Sequence, residues 1–415
     1  MLSIDLSEFI PQHIFDFNFK ENIPKLKRKF WINKLNNKKY MVVNYDKKYI
    51  NESKKNINDN LGLLRSVVLN DKSEILAFSP PSSYNLNGDN CRNVDKFIKQ
   101  DNFPFPLSVQ EFIDGTMINL FWDGDNWEIS TNKCVSGNIG FYIHNNSKTF
   151  RDMFFDICKE INLDLDMLSK TINGNRLSYS FVIQHKDNRI VTPISENALF
   201  LINIYEISQT EKGIHIYPHY PQAKSFPEFY KNILPQTNIK LPKNYQTINS
   251  VKELNDVIKF NTTTLYSIKG IILNDLCDFT RYKIRNNNYD YVSVLKGNQP
   301  KSQYRFLELN KQHKLLEYYK YFPEDIHIFA TFSKQLNNTI KRLYNLYVEC
   351  HIKHTIAHIY CPYEYKPHIY HLHGIYLKNK QKIIYETVKN YFNNLPTQMQ
   401  LYIINYNKRV LVSSN

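Results

Sequence analysis

Hydrophobic and polar positions change rhythm twice along this chain. Short alternating or β-branched runs at residues 39–45 and 64–69 predict strands in the N-terminal part. Between residues 112 and 130 two further apolar runs flank Asp123-Gly124-Asp125-Asn126, where the Asp-Gly pair is a hairpin signal because it tolerates positive φ. The period then lengthens: over residues 150–168 the apolar positions recur at helical spacing, with a stop near Asn173-Gly174. Strand patterns return at 177–184 and 198–205. Residues 207–248, with prolines at 218, 221, 227, 235 and 242, predict a long surface excursion. Strand signals resume at 265–273 and 279–284. Beyond Tyr291 the 3.6-residue period takes over, and helices are expected over 304–321, 325–347 and 382–394.

Mixed strands and helices followed by helices alone imply two separately cored units. The expected organisation is an N-terminal extension over 1–24, an α+β domain of antiparallel sheets with helices over 25–295, and an all-α domain over 296–415. With 42% hydrophobic and 22% charged residues the chain has a globular composition, and it contains no apolar run of the ~20 residues that span a bilayer. The acidic, proline-containing start does not resemble a secretory leader. Six cysteines without a CxxC pair suit free thiols in a reducing, cytoplasmic setting. Eleven glycines leave no P-loop or dinucleotide fingerprint.

Charge adds a partner class. The net charge is +14, and between residues 25 and 55 eleven Lys or Arg stand against Asp46 and Glu52 alone. Lys25, Lys27, Arg28, Lys29, Lys38 and Lys39 are therefore candidate RNA-binding residues, with Phe30, Trp31 and Tyr40 as stacking platforms for single strands. The bland alternative is a solvated strand surface that merely carries lysines.

Five segments carry more specific chemistry. They are Phe112-Ile113-Asp114-Gly115, Trp127-Glu128-Ile129-Ser130-Thr131-Asn132-Lys133, Phe181-Val182-Ile183 with Asn188-Arg189-Ile190-Val191, Ile268-Lys269-Gly270-Ile271-Ile272 and Tyr282-Lys283-Ile284-Arg285. Their order resembles the RNA ligase branch of the covalent nucleotidyltransferase superfamily, closest to the phage-type RNA ligase 1 pattern and its homologues in large DNA viruses. The likeness covers roughly residues 40–295 and includes Arg65 and the loop at Ser79-Pro80-Pro81. It implies a nucleotidyltransferase (ATP-grasp-like ligase adenylation) domain, a lysine nucleophile in a K-x-D-G motif, metal-holding acids, and cations that cradle a triphosphate.

The departures from that pattern fall on the chemistry. Phe112 stands at the lysine position, and a phenyl ring has no lone pair with which to attack phosphorus. Val182 and Lys269 stand where two acids are expected, and Asn132 where an arginine is. The resemblance thus implies a degenerate site in which Arg65, Asp114, Gly115, Arg189, Lys269, Lys283 and Arg285 bind ATP, another nucleotide or an RNA end without Mg²⁺. Two other readings stand beside it: an active transferase whose nucleophile has moved to Lys269 or Lys133, and a structural or virion protein with viral partners and a filled pocket. A viral homologue would work in host cytoplasm, viral factory or virion. In the helical part, six of the 13 histidines fall within residues 351–373, beside two cysteines. Cys350, His354, Cys361 and His368 are candidate zinc ligands, against a plain Tyr/His packing segment.

Overall fold

A computed structural model describes residues 3–19, 21, 23–33, 36–49, 60–86, 106–140, 148–220, 229–245, 247–262, 264–275 and 280–407. Cys91, Cys277 and Phe279 lie outside the described residues. The chain divides into two compact units, Met1–Ser293 and Val294–Asn415. The first is α+β and the second is helical.

The first unit contains fifteen described strands: β1 (Ile4–Asp5), β2 (Leu26–Ile32), β3 (Lys39–Tyr45), β4 (Val67–Asn70), β5 (Ile75–Phe78), β6 (Tyr84–Asn85), β7 (Leu107–Glu111), β8 (Thr116–Trp122), β9 (Trp127–Ser130), β10 (Thr171–Ile172), β11 (Asn175–Gln184), β12 (Ala198–Thr210), β13 (Gly213–His219), β14 (Gly270–Asp275) and β15 (Arg281–Arg285). They form three sheets, in the orders β1-β13-β12-β11-β8-β9 with β10 on β11, β6-β15-β14-β7, and β2-β3-β4-β5. Every pairing is antiparallel except β15 with β6.

The first sheet is buried on both faces, and Leu177 to Ile183 is buried throughout, with the small serines 178 and 180 among its apolar residues. On one face the helix Phe150–Glu160 lays Phe154 and Ile157 on Leu120, Tyr179 and Phe181. Thr149 starts that helix with a capping box closed by Asp152, which satisfies two otherwise orphaned backbone donors. The other face packs Tyr205, Ile207 and Ile216 on Met41, Val67 and Phe78 of the β2–β5 sheet.

Three expectations change. The first residues are part of the core: Ile4 and Asp5 pair with β13, and Leu6, Ile10, Ile14 and Phe15 are buried. The span 207–248 is not a continuous excursion, because it holds the end of β12 and all of β13. Pro218 sits in that strand opposite Tyr205, beyond the two residues that β1 reaches, where a missing N–H costs a sheet little. The helix expected over 304–321 is two, Ser302–Lys311 and Leu315–Tyr321, interrupted where His313 adopts a left-handed φ of 57°. The helical unit continues through Ile326–His351, Lys366–Asn379, Tyr385–Asn394 and Thr397–Ile404.

Candidate functional site

A cavity of about 570 Å³ opens in the first unit among β3, β8, β11, β14, β15 and the residues that follow β7. Period-2 alternation builds its most charged wall. Along β15, Tyr282 and Ile284 enter the core, while Arg281, Lys283 and Arg285 line the cavity. Lys47, Arg65, Lys133 and Lys269 join them, and among the described lining residues Glu111 is the one carboxylate.

The opposite part of the lining is apolar. Ile113, Met117, Val182 and Ile202 cluster there, so the position at which an acid was expected on β11 belongs to a hydrophobic floor. Asn132 also lines the cavity, and its Oδ1 is buried with no hydrogen-bond partner among the described residues. A buried amide oxygen left unpaired is costly, so this atom suits a donor supplied by a ligand.

Asp114 ties four segments together beneath the lining. Its carboxylate accepts from the Tyr289 hydroxyl at 2.6 Å and from the amides of Val191 and Thr192 at 3.1 Å each, and lies 3.4 Å from the Lys269 ammonium. Burial pushes its pKa up, but Lys269, Tyr289 and the two amides outweigh burial and hold it below the ordinary carboxylate value. Lys269 shifts the other way from its usual state. Burial lowers its pKa, Asp114 opposes that, and Arg285 and Arg65 add repulsion, so the amine titrates below an ordinary lysine.

The Lys269 Nζ stands 4.3 Å from the centroid of the Phe112 ring and 3.4 Å from the Ile113 carbonyl. A cation over an aromatic face is an attractive arrangement. The two departures from the sequence pattern are therefore spatial neighbours: the phenyl ring at 112 packs against the ammonium at 269. Glycines hold the backbone at both places. At Gly115 (φ 148°) a Cβ would stand 2.3 Å from the Ile183 carbonyl oxygen, and at Gly270 (φ 140°) 2.1 Å from that of Ile284.

No family model matches the chain. An immediate-early protein ICP-46 homolog of Invertebrate iridescent virus 6 is 21% identical over 305 residues, covering 70% of this chain and 63% of that protein. An RNA ligase of Rhodothermus phage RM378 is 26% identical over 146 residues, covering 34% of this chain and 31% of the ligase. The chain is thus similar to an RNA ligase over about a third of its length. It spans less than two thirds of the length of either relative. Among solved structures, a mutant Naegleria gruberi RNA ligase with ATP and Mn superposes at a TM-score of 0.37 and 11% identity, covering 53% of this chain and 64% of that one. The same ligase with PPi gives 0.36 and 12%, covering 52% and 64%.

The structure brings Arg65, Phe112, Gly115, Lys133, Lys269, Lys283 and Arg285 to one cavity. Asp114 lies behind the wall rather than in it. Arg189 is not among the lining residues: its Nε and Nη2 donate to the Val191 carbonyl at 3.2 and 3.0 Å. Neighbouring Asn188 has a positional task, donating to the Thr116 hydroxyl at 2.9 Å. Sequence reasoning missed Arg281 and Tyr289. Arg281 was visible in principle as the i−2 partner of Lys283, whereas nothing local marks Tyr289.

The basic stretch divides by register. Lys27 opposes Asn44 and Lys29 opposes Val42, so both project from one face of β2; Lys27 lies 3.0 Å from Asp46, and neither lysine lines the cavity. Arg28 turns to the other face, where its Nη2 donates to the Asp16 carbonyl at 2.7 Å and its guanidinium lies over Phe19 and Phe30. Lys38 is engaged by Asp123 and Asp125 at 2.7 Å each, while Lys25 and Lys39 are exposed. Of the expected stacking rings, Phe30 is exposed; Tyr40 is buried and donates to Asp123, and Trp31 packs beside it.

The zinc set does not assemble. Among the described residues no group of three or more His, Cys, Asp or Glu could hold a metal ion. Cys350 and Cys361 are buried neighbours, but His368 meets the Tyr391 hydroxyl at 2.7 Å and His354 is exposed.

Proposed function

We propose that this RNA ligase relative binds a phosphorylated nucleotide or an RNA 5′ end in the cationic cavity and holds it without transferring it. The observation that carries the reading is the balance of the lining: seven cationic side chains, one carboxylate, and a phenyl ring at the position of the family's amine. Divalent metals on phosphates are held by oxygen ligands, chiefly carboxylates. Here Val182 and Lys269 occupy the two acidic positions, and fixed cations supply the compensating charge directly. The unpaired Asn132 amide adds an acceptor for a sugar hydroxyl or base amine.

Thermal unfolding in EDTA tests this. ATP or pyrophosphate should raise the melting midpoint, because a ligand bound only by the folded state stabilises it. Stabilisation that appears only with added Mg²⁺, or none with either compound, overturns the reading.

One observation favours a second reading, in which Lys269 is the nucleophile. Its amine is largely buried, lines the cavity and titrates below an ordinary lysine, which raises the share of free base. Incubation with α-labelled ATP or GTP and Mg²⁺ decides between them. An acid-labile adduct that disappears in Lys269→Ala supports transfer; its absence with both nucleotides leaves the binding role.

A further inference from the structure

We infer that the helical unit carries its own docking face for single-stranded nucleic acid, along the helix Lys366–Asn379 and the turn that precedes it. The inference is independent of the cavity and of any reading of it. Residues 352–382 contain five lysines and no arginine, and the one acid, Glu364, is buried. The rings of this segment divide between those that stack on other rings, such as His371 on Tyr391 and Tyr363 on Tyr406, and the strongly exposed Tyr360 and Tyr370.

Positions four apart lie on one side of a helix. Lys366, Tyr370, Gly374 and Lys378 form such a row, while Ile369 and Leu372 are fully buried on the other side. Tyr370 is 76% exposed, and a Cβ built at Gly374 would meet nothing within 4 Å. The row is therefore an exposed phenol ring beside an open step, with an ammonium at each end about 18 Å apart along the axis. The preceding turn extends it: His358 Nε2 lies 3.0 Å from the Lys366 carbonyl, which sets Ile359 and Tyr360, 71% and 81% exposed, beside the start of the helix.

Large exposed rings that make no core contact, interleaved with cations and free of acidic residues, match one chemistry. Bases stack on aromatic faces whatever their sequence, and phosphates pair with lysines. A short single strand fits this spacing; duplex DNA gives the rings nothing to stack on. A partner protein would need a strongly acidic surface to accept the same lysines.

Titrating a fluorescent oligouridylate into the full chain at two salt concentrations tests the face. Tyr370→Ala should weaken binding about tenfold. The double variant Lys366→Glu/Lys378→Glu should weaken it further and reduce the slope of log affinity against log salt by about two. These are surface positions, so helical circular dichroism and the nucleotide-dependent melting shift should be unchanged. Photocrosslinking should recover Tyr360 or Tyr370 joined to uridine. Equal affinity in all variants overturns the inference. So does selective loss of binding to an acidic peptide with RNA affinity intact, since the face would then belong to a protein.

Discussion

Two basic regions of the first unit carry comparable charge and differ in what the fold does with it. In the cavity, strand alternation points Arg281, Lys283 and Arg285 one way, and Arg65, Lys133 and Lys269 converge on them from other segments. Around β2 a contiguous run is dispersed: Lys27 lies 3.0 Å from Asp46, Lys29 is exposed, Arg28 is spent on backbone carbonyls behind, and Lys38, just ahead of β3, is held by two aspartates. Charge density along a sequence is thus a poor guide to charge density in space. Convergence from distant segments, with few acids nearby, is what makes an anion site.

Substitutions can break or sharpen this contrast. The largest effect is expected beneath the cavity. Asp114→Asn should cost about 3 kcal/mol of unfolding free energy in urea, because it leaves the Lys269 charge buried without its partner. Asp114 titrates below its unfolded value, so the stability it provides is present above about pH 4 and is lost as pH falls through its folded pKa. Melting curves of the wild type should show that acid-side loss and the variant should show less of it, because Asp123, also held below the ordinary carboxylate value, keeps its own share.

Next, Lys283→Glu/Arg285→Glu should weaken pyrophosphate binding about a hundredfold, as read by calorimetry, since each change removes a charge-assisted contact and adds repulsion. On the strand, Lys27→Glu/Lys29→Glu should weaken single-stranded RNA about tenfold at low salt, uniformly across sequences. Smallest of all, Lys38→Ala should lower stability by about 1 kcal/mol and leave RNA affinity unchanged, because its partners are the aspartates of a hairpin. Equal loss of RNA affinity in the Lys27/Lys29 and Lys38 variants would erase the distinction between the exposed lysines of β2 and the one held against the hairpin aspartates.

Much of the frame was legible from local pattern. The strand Lys39–Tyr45, the hairpin at Asp123-Gly124 and the helix beginning at Phe150 announce themselves through alternation, turn chemistry and capping. The ordered fragments around Asp114, Lys269 and Lys283 pointed to one wall, and most of the residues named from them line it. What stayed hidden depends on contacts across the sequence. Tyr289 reaches Asp114 over 175 positions, and the amides that fix the same carboxylate are backbone groups, which carry no residue signature. Arg189 matched a motif yet turned to a neighbouring carbonyl, and the prolines around 218 concealed β13. In the helical unit, the expected ligands go to different surroundings: His368 meets the Tyr391 hydroxyl and His354 is exposed.

The glycines at 115 and 270 bear on how such a site changes over time. Each is wedged against a carbonyl oxygen of a neighbouring strand, so any side chain there would pry the two strands apart. Positions 112 and 269 are constrained differently, through their side chains: the ring packs on the ammonium, and the ammonium faces the buried Asp114 carboxylate. An exchange at either leaves the main chain where the glycines hold it and is felt by the partner group.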